Sequence, residues 1–107
     1  MSIAPKAKIL DLTGMVSFQE GSVVSRQITK AEAGNITLFA FDVGQELSEH
    51  TAPYDALVEI LEGEAEIQID HQPFLLKTGQ AIILPAGQTH AIKATQKFKM
   101  LLTMIRA

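Results

Sequence analysis

The segment "GQAIILPAGQTH", residues 79–90, decides the interpretation of this sequence. Its apolar run is followed by Pro85 and Gly87, two residue types that favour a rigid reversal of the chain. Gly79 precedes the run and permits the positive φ of a tight turn. The reversal delivers His90 to the start of the next strand, and we expect its imidazole to point into the interior of a β-structure.

A second segment bounded by glycines, "GQELSEHTAPYDALVEILEG", spans residues 44–63 and carries His50. Together the two segments resemble the two motifs of the cupin superfamily, G-x5-H-x-H-x3,4-E-x6-G and G-x5-P-x-G-x2-H-x3-N. The resemblance covers residues 44–94, about half of the chain. It implies an all-β fold, a jelly-roll barrel of the double-stranded β-helix type, in one domain spanning residues 1–107.

The second motif is kept at every position but the last. Its two glycines, its proline and its histidine stand at the family spacing, and Ala94 occupies the position of the family's asparagine. The first motif is kept at His50 and Gly63, but Ala52 replaces its second histidine and Ala56 replaces its carboxylate. Two of the four metal ligands that the resemblance implies are therefore methyl groups.

The resemblance implies a divalent metal (zinc, iron, manganese or nickel), of whose usual ligands only His50 and His90 remain. Zinc sites normally use three or four protein ligands, so we expect the affinity to be lower by orders of magnitude. Glu46 shares strand parity with His50 and is the candidate replacement carboxylate. Two interpretations stay open: a cavity without metal, in which a water or ligand partners the imidazoles, and a weak metal site completed by Glu46 or an exogenous group.

The rest of the chain has the pattern of short strands separated by glycine-containing turns, and it predicts eight or nine strands. A change of phase marks Gly63: the apolar residues occupy even positions in "ALVEILEG" and odd positions in "EAEIQID", so we expect a bend or bulge there. The segment "IDHQPFLL", residues 69–76, predicts a hairpin with His71 exposed in its turn. A short helical turn is predicted near residues 28–35.

The composition excludes several classes of function. The chain has 107 residues, no cysteine and a net charge of −3, which excludes disulfides, thiolate metal sites and cysteine nucleophiles. No basic cluster favours nucleic acid, and no apolar run has the length of a membrane span. We therefore expect a cytoplasmic protein that binds neither nucleic acid nor membrane.

The first functional hypothesis is a domain that binds or senses a small molecule held between His50 and His90. We expect apolar walls from Ile60 and Met100, together with Ile92, Leu102 and Phe41, and a contribution from Tyr54 at the mouth. The alternative, implied by the resemblance, is a metal-dependent dioxygenase, isomerase or decarboxylase acting on a small acid or sugar.

A third hypothesis is an assembly module without a ligand, because the segment "NITLFAFD", residues 35–42, has two apolar faces and Leu57 and Leu61 have outward parity. Cupins of this size are commonly homodimers, and the resemblance therefore implies a homodimer. Residues 1–20 would form an N-terminal arm, in which "AKILDLTGMV", residues 7–16, would be a strand exchanged between subunits.

Overall fold

The computed structural model describes residues 3–106, and its regular structure is almost entirely β. The elements are one 3₁₀ helix, Leu12–Met15, and eight strands: β1 Val23–Ala31, β2 Gly34–Phe41, β3 Glu46–His50, β4 Ala56–Ile69, β5 Gln72–Lys77, β6 Ala81–Leu84, β7 His90–Lys93 and β8 Phe98–Ile105. The all-β prediction is confirmed. Within the described range no helix is long and apolar enough to cross a bilayer.

The strands are hydrogen-bonded in the order β1-β2-β8-β4-β7-β3, and β5 and β6 also pair with β4. All of these pairings are antiparallel. The first half of β4 pairs with β6 and β8, whereas its second half pairs with β5 and β7. One long strand thus belongs to two sheets that curl around a shared interior, which is the jelly-roll barrel predicted from the sequence.

The corner in β4 lies at Gly63, as the change of phase predicts. Register against β8 shifts between Ile60 and Glu62, and Gly63 has a φ of +84°. A Cβ at this position would clash with the carbonyl oxygen of Lys97 in the chain leading to β8. The corner therefore requires glycine for both its backbone conformation and the close approach of its neighbour.

Two turns test the local predictions. Asp70 and His71 form a two-residue connection between β4 and β5, with φ values of +49° and +67°. That conformation suits a tight hairpin turn, and His71 is exposed in it as predicted. The helical turn predicted near residues 28–35 is wrong, because β1 and β2 occupy this segment and form a hairpin in which Ala31 pairs with Gly34.

The core has two parts, one on each face of the sheet formed by β1, β2, β8, β6 and the first half of β4. The interior cluster is built around Phe41 and Phe98, whose stacked rings have centroids 4.5 Å apart. The outer cluster packs the N-terminal residues Leu10, Leu12, Met15, Val16 and Phe18 against the outward face of the strands. The interior cluster leaves the space in which the two histidines lie.

The described part of the N-terminal arm, residues 3–20, lies on the sheet of its own chain, and residues 1 and 2 of the predicted arm are outside the described range. Lys99 donates from Nζ to the carbonyl of Thr13 at 2.6 Å, and the amide of Ala4 donates to the carbonyl of Ile28 at 2.9 Å. The prediction of a strand at residues 7–16 is wrong for this chain, because that segment contains the 3₁₀ helix and irregular structure. Exchange of the arm between subunits stays a prediction.

Candidate functional site

A cavity of about 280 Å³ lies inside one end of the barrel. Most of the side chains around it are aliphatic or thioether groups, and the polar exceptions are the two histidines and one threonine. The lining residues are Leu47, His50, Thr51, Ala52, Ala56, Leu84, His90, Ile92, Met100, Leu102 and Met104. The site is therefore a mostly apolar cavity whose polar side chains are His50, His90 and Thr51.

Antiparallel pairing of β3 with β7 brings the two histidines together. His50 ends β3, His90 begins β7, and the two residues are partners in the register. Their Nε2 atoms are 3.0 Å apart, and their rings meet edge to face with centroids 4.2 Å apart. The structure thus brings together two imidazoles separated by forty positions in the chain, as the two sequence segments predict. Their role in binding a ligand stays a prediction.

The reversal at Pro85 holds the segment that follows β3 against the cavity. The amide of Gly87 donates to the carbonyl of Ala52 at 2.8 Å. The amide of Ala86 donates to Oδ1 of Asp55, also at 2.8 Å. These two bonds join the second motif to the first, so the chain reversal fixes the cavity wall as well as the start of β7.

Hydrogen bonds determine which nitrogen of each ring carries the proton. Nδ1 of His50 lies 2.7 Å from the carbonyl oxygen of Ser48, which can only accept, so this nitrogen is the protonated one. When both rings carry a single proton, Nε2 of His50 is then an acceptor and Nε2 of His90 donates to it. In that arrangement Nδ1 of His90 carries no proton. It is buried and makes no hydrogen bond of good geometry among the described residues, although the backbone of Gln88 favours a proton on this ring.

The environment of His90 favours its neutral form. Only 6% of this residue is exposed, and burial is the main cause that lowers its pKa from the ordinary value. The nearby His50 lowers the pKa further, while the backbone of Gln88 opposes the shift. His90 is therefore uncharged near neutral pH.

Two alanines of the first motif line the same cavity as the histidines. Ala52 and Ala56, which stand where the resemblance implies a histidine and a carboxylate, both line it. Among residues 3–106, no group of three or more histidine, aspartate and glutamate side chains is placed to hold a metal ion. A divalent metal of the kind implied by the resemblance needs three or four protein ligands, and the donor set present does not fit it.

The inward orientation predicted for Glu46 is wrong. A register shift lies between Leu47 and His50 in the pairing of β3 with β7, so alternation does not run unbroken along the strand. Leu47 lines the cavity, while Glu46 is exposed opposite Lys93. The replacement carboxylate proposed from strand parity therefore does not reach the histidine pair.

The other predicted residues divide between the cavity, the core and the surface. Met100 lines the cavity, as do Ile92 and Leu102. Ile60 is 1% exposed and belongs to the interior cluster, but it does not line the cavity. Tyr54 lines a separate surface depression with Pro53, Asp55, Ala86 and Ile105, so its placement at the mouth of the histidine cavity is wrong.

Sequence reasoning missed part of the cavity wall. Leu47, Thr51, Leu84 and Met104 also line it. Met104 has the same parity as Met100 and Leu102 in β8, so alternation could have added it. The inward position of Leu47 follows from the bulge in β3, for which the sequence carries no glycine or other signal.

The fold and the site define a small antiparallel jelly-roll barrel in which a buried histidine, His90, meets an exposed one, His50, at the wall of a cavity. Residues 37–106 match the model of the family described as "Cupin domain". The chain belongs to the cupin family.

Solved structures of similar proteins cover almost the whole chain. A conserved protein of unknown function from Streptococcus pyogenes is 40% identical, with a TM-score of 0.91 over 100% of this chain and 96% of that one. A cupin superfamily protein from Desulfitobacterium hafniense DCB-2 is 31% identical, with a TM-score of 0.91 over 99% of this chain and 97% of that one.

A protein sequence from Aquifex aeolicus (strain VF5), described as uncharacterized, is 29% identical over 103 residues, which are 94% of this chain and 84% of that protein. These likenesses establish the fold over nearly the full length of the chain.

Proposed function

We propose that this cupin is a binding or sensing module that holds a small molecule in the cavity beside His50 and His90. The observation that carries the proposal is the cavity itself: about 280 Å³ of space that is partly open to solvent and lined mostly by apolar side chains, with the histidine pair on its wall. This volume is near the lower limit of typical small-molecule pockets, which begin at about 300 Å³. An apolar wall with few polar groups is the usual composition of such pockets.

The donor set argues against the alternative of a metal-dependent dioxygenase, isomerase or decarboxylase. Such an enzyme needs a metal that is held firmly while substrate occupies its open positions. The cavity lining supplies two imidazoles, one of whose Nε2 atoms carries a proton that bonds the other ring. A binding module needs no further ligand and is consistent with this arrangement.

Methionine methyl groups provide a direct test, because the chain has four methionines in different environments. Met100 and Met104 line the cavity, whereas Met15 packs in the outer cluster on the other face of the sheet. Protein labelled with ¹³C at the methionine methyl groups would be titrated with a library of small compounds. Binding in the cavity should shift the signals of Met100 and Met104 and leave that of Met15 unchanged.

A variant whose cavity is filled by a larger side chain, compared with a neighbouring variant outside the cavity, provides the control for the titration. Ala56→Leu would place a larger side chain in the cavity, and Leu57→Met would alter the next residue, which lies on the opposite face of β4. The first variant should lose the ligand-induced shifts and the second should keep them. If no compound shifts Met100 or Met104 in the unaltered protein, the proposed function is wrong.

A further inference from the structure

We infer that the cavity takes uncharged, predominantly apolar compounds with at most one or two hydrogen-bonding groups, and that it discriminates against carboxylates and sugars. The inference rests on the proposed function and names the chemical class of its ligand. It is carried by the hydrogen bonds of the histidine pair, the absence of a counter-charge among the lining side chains, and the volume of the cavity.

The two ring N–H groups of the pair are already in use. Nδ1–H of His50 donates to the carbonyl of Ser48, and Nε2–H of His90 donates to Nε2 of His50. The remaining ring nitrogen of His90, Nδ1, carries no proton in this arrangement and is buried without accessible surface. A carboxylate can only accept hydrogen bonds, so the pair in this arrangement has no N–H to offer it.

The rest of the lining has no charge to balance an ionic ligand. None of the described lining residues is lysine, arginine, aspartate or glutamate. The charged pair in the β3–β7 register, Glu46 and Lys93, is exposed, and so is Glu49, which precedes His50 in β3. A carboxylate that gives up hydration to enter this mostly apolar cavity finds no opposite charge among the described lining side chains, and this disfavours its binding.

Sugars are disfavoured for a related reason. Each hydroxyl of a sugar that loses water on binding needs a new hydrogen-bond partner. Apart from the histidines, the described lining side chains supply one hydroxyl, that of Thr51, together with the weakly accepting thioethers of two methionines. A single alcohol, phenol or indole N–H needs only one partner, so such a compound leaves fewer unpaired groups in this cavity than a sugar does.

The volume sets the size of the ligand. An apolar cavity of about 150 Å³ holds one benzene molecule, so a chamber roughly twice as large suits a two-ring aromatic compound or a chain on the order of eight carbon atoms. The cavity of about 280 Å³ therefore suits compounds such as indole and 1-octanol.

Matched pairs of probes test the inference on the full-length protein. Indole would be compared with indole-3-carboxylate, and 1-octanol with octanoate, at one pH near 7.4, with glucose as the sugar. Dissociation constants would be measured from the methyl signals of Met100 and Met104, with Met15 as the internal reference. We expect each neutral compound to bind at least about tenfold more tightly than its carboxylate, because the buried ion finds no partner.

The outcomes separate this inference from the proposed function. If carboxylates or glucose shift Met100 and Met104 with equal or higher affinity than their neutral counterparts, the binding function stands and the inference is overturned. If none of these probes shifts the signals but a compound of the library does, the binding function stands and the inference fails. If neither the probes nor the library shift them, both fail. Loss of the indole shifts in both Ala56→Leu and Ala52→Leu, with the folded spectrum retained in at least one, would confirm the site of binding.

Discussion

Replacing Gly63 by alanine should destabilise the barrel more than the same replacement at Gly79, although the two glycines have nearly the same backbone conformation. Their φ values are +84° and +87°. An L-residue in this left-handed region costs about 1–2 kcal/mol, and both variants carry that cost. The two sites differ in what the new methyl group would meet.

At Gly79 a Cβ would have no heavy atom within 4 Å beyond its own chain neighbours. At Gly63 it would clash with the carbonyl oxygen of Lys97 and lie 3.1 Å from Cα of Phe98. These are backbone atoms of Lys97, which leads into β8, and of Phe98, its first residue. The clash can be removed only if β4 and β8 move apart beside the fully buried Phe98 ring. Overpacking of this kind typically costs a further 1–3 kcal/mol, which gives about 2–5 kcal/mol in total for Gly63→Ala.

Urea denaturation followed by circular dichroism would measure both variants against the unaltered protein. We expect Gly79→Ala to lose about 1–2 kcal/mol of the free energy of unfolding and Gly63→Ala to lose clearly more. In thermal unfolding each kcal/mol should lower the Tm by about 4 °C or more in a domain of this size. Equal losses in the two variants would refute the conclusion that Gly63 is required by the close approach of β8.

Three further predictions concern the site and the assembly. The double variant Ala52→His/Ala56→Glu should retain Zn²⁺, Mn²⁺ or Ni²⁺ after dialysis at a stoichiometry well above that of the unaltered protein, because both positions line the cavity beside the histidine pair. Elemental analysis would measure the bound metal, and equal retention by the two proteins would contradict this prediction. Burial lowers the pKa of His90 in the folded chain, so the unfolded chain binds the proton more readily. The free energy of unfolding should therefore fall as the pH drops from 6.5, the ordinary pKa of histidine, to the pKa of His90 in the folded chain. His90→Gln should remove this pH dependence, and an unchanged pH profile in the variant would count against the prediction. Light scattering should give the mass of a homodimer, about twice the 11.6 kDa of the chain, and a mass near one chain at micromolar concentration would refute the dimer.

The parts of the fold that the sequence predicts are those with a local cause. The corner at Gly63 is visible because a period of two changes phase there, and only a bend or bulge reconciles the two halves of β4. The reversal at Pro85 and Gly87 can be predicted because proline fixes its backbone φ and glycine allows a positive φ, and both favour a turn. These two features bring β3 and β7 together, and with them the histidine pair.

The predictions that are wrong depend on contacts between distant segments. The register shift in β3 turns Leu47 inward and leaves Glu46 outside, and it arises from pairing with β7. Residues 28–35 contain alanine, lysine and glutamate, which favour helix locally, but pairing across the β1–β2 hairpin overrides that preference. The N-terminal arm packs irregularly on the outer face of the sheet, a position that no local pattern specifies.

The most direct test of the account is a measurement of the hydrogen bond between the two rings by ¹⁵N NMR at a pH near 7.4, without added metal. The structure predicts that His50 is protonated at Nδ1, that His90 is protonated at Nε2, and that a scalar coupling joins the two Nε2 nuclei across their 3.0 Å contact. Protonation of both rings at Nδ1, with no coupling between the Nε2 nuclei, would contradict the neutral hydrogen-bonded pair from which the cavity's preference for uncharged ligands follows.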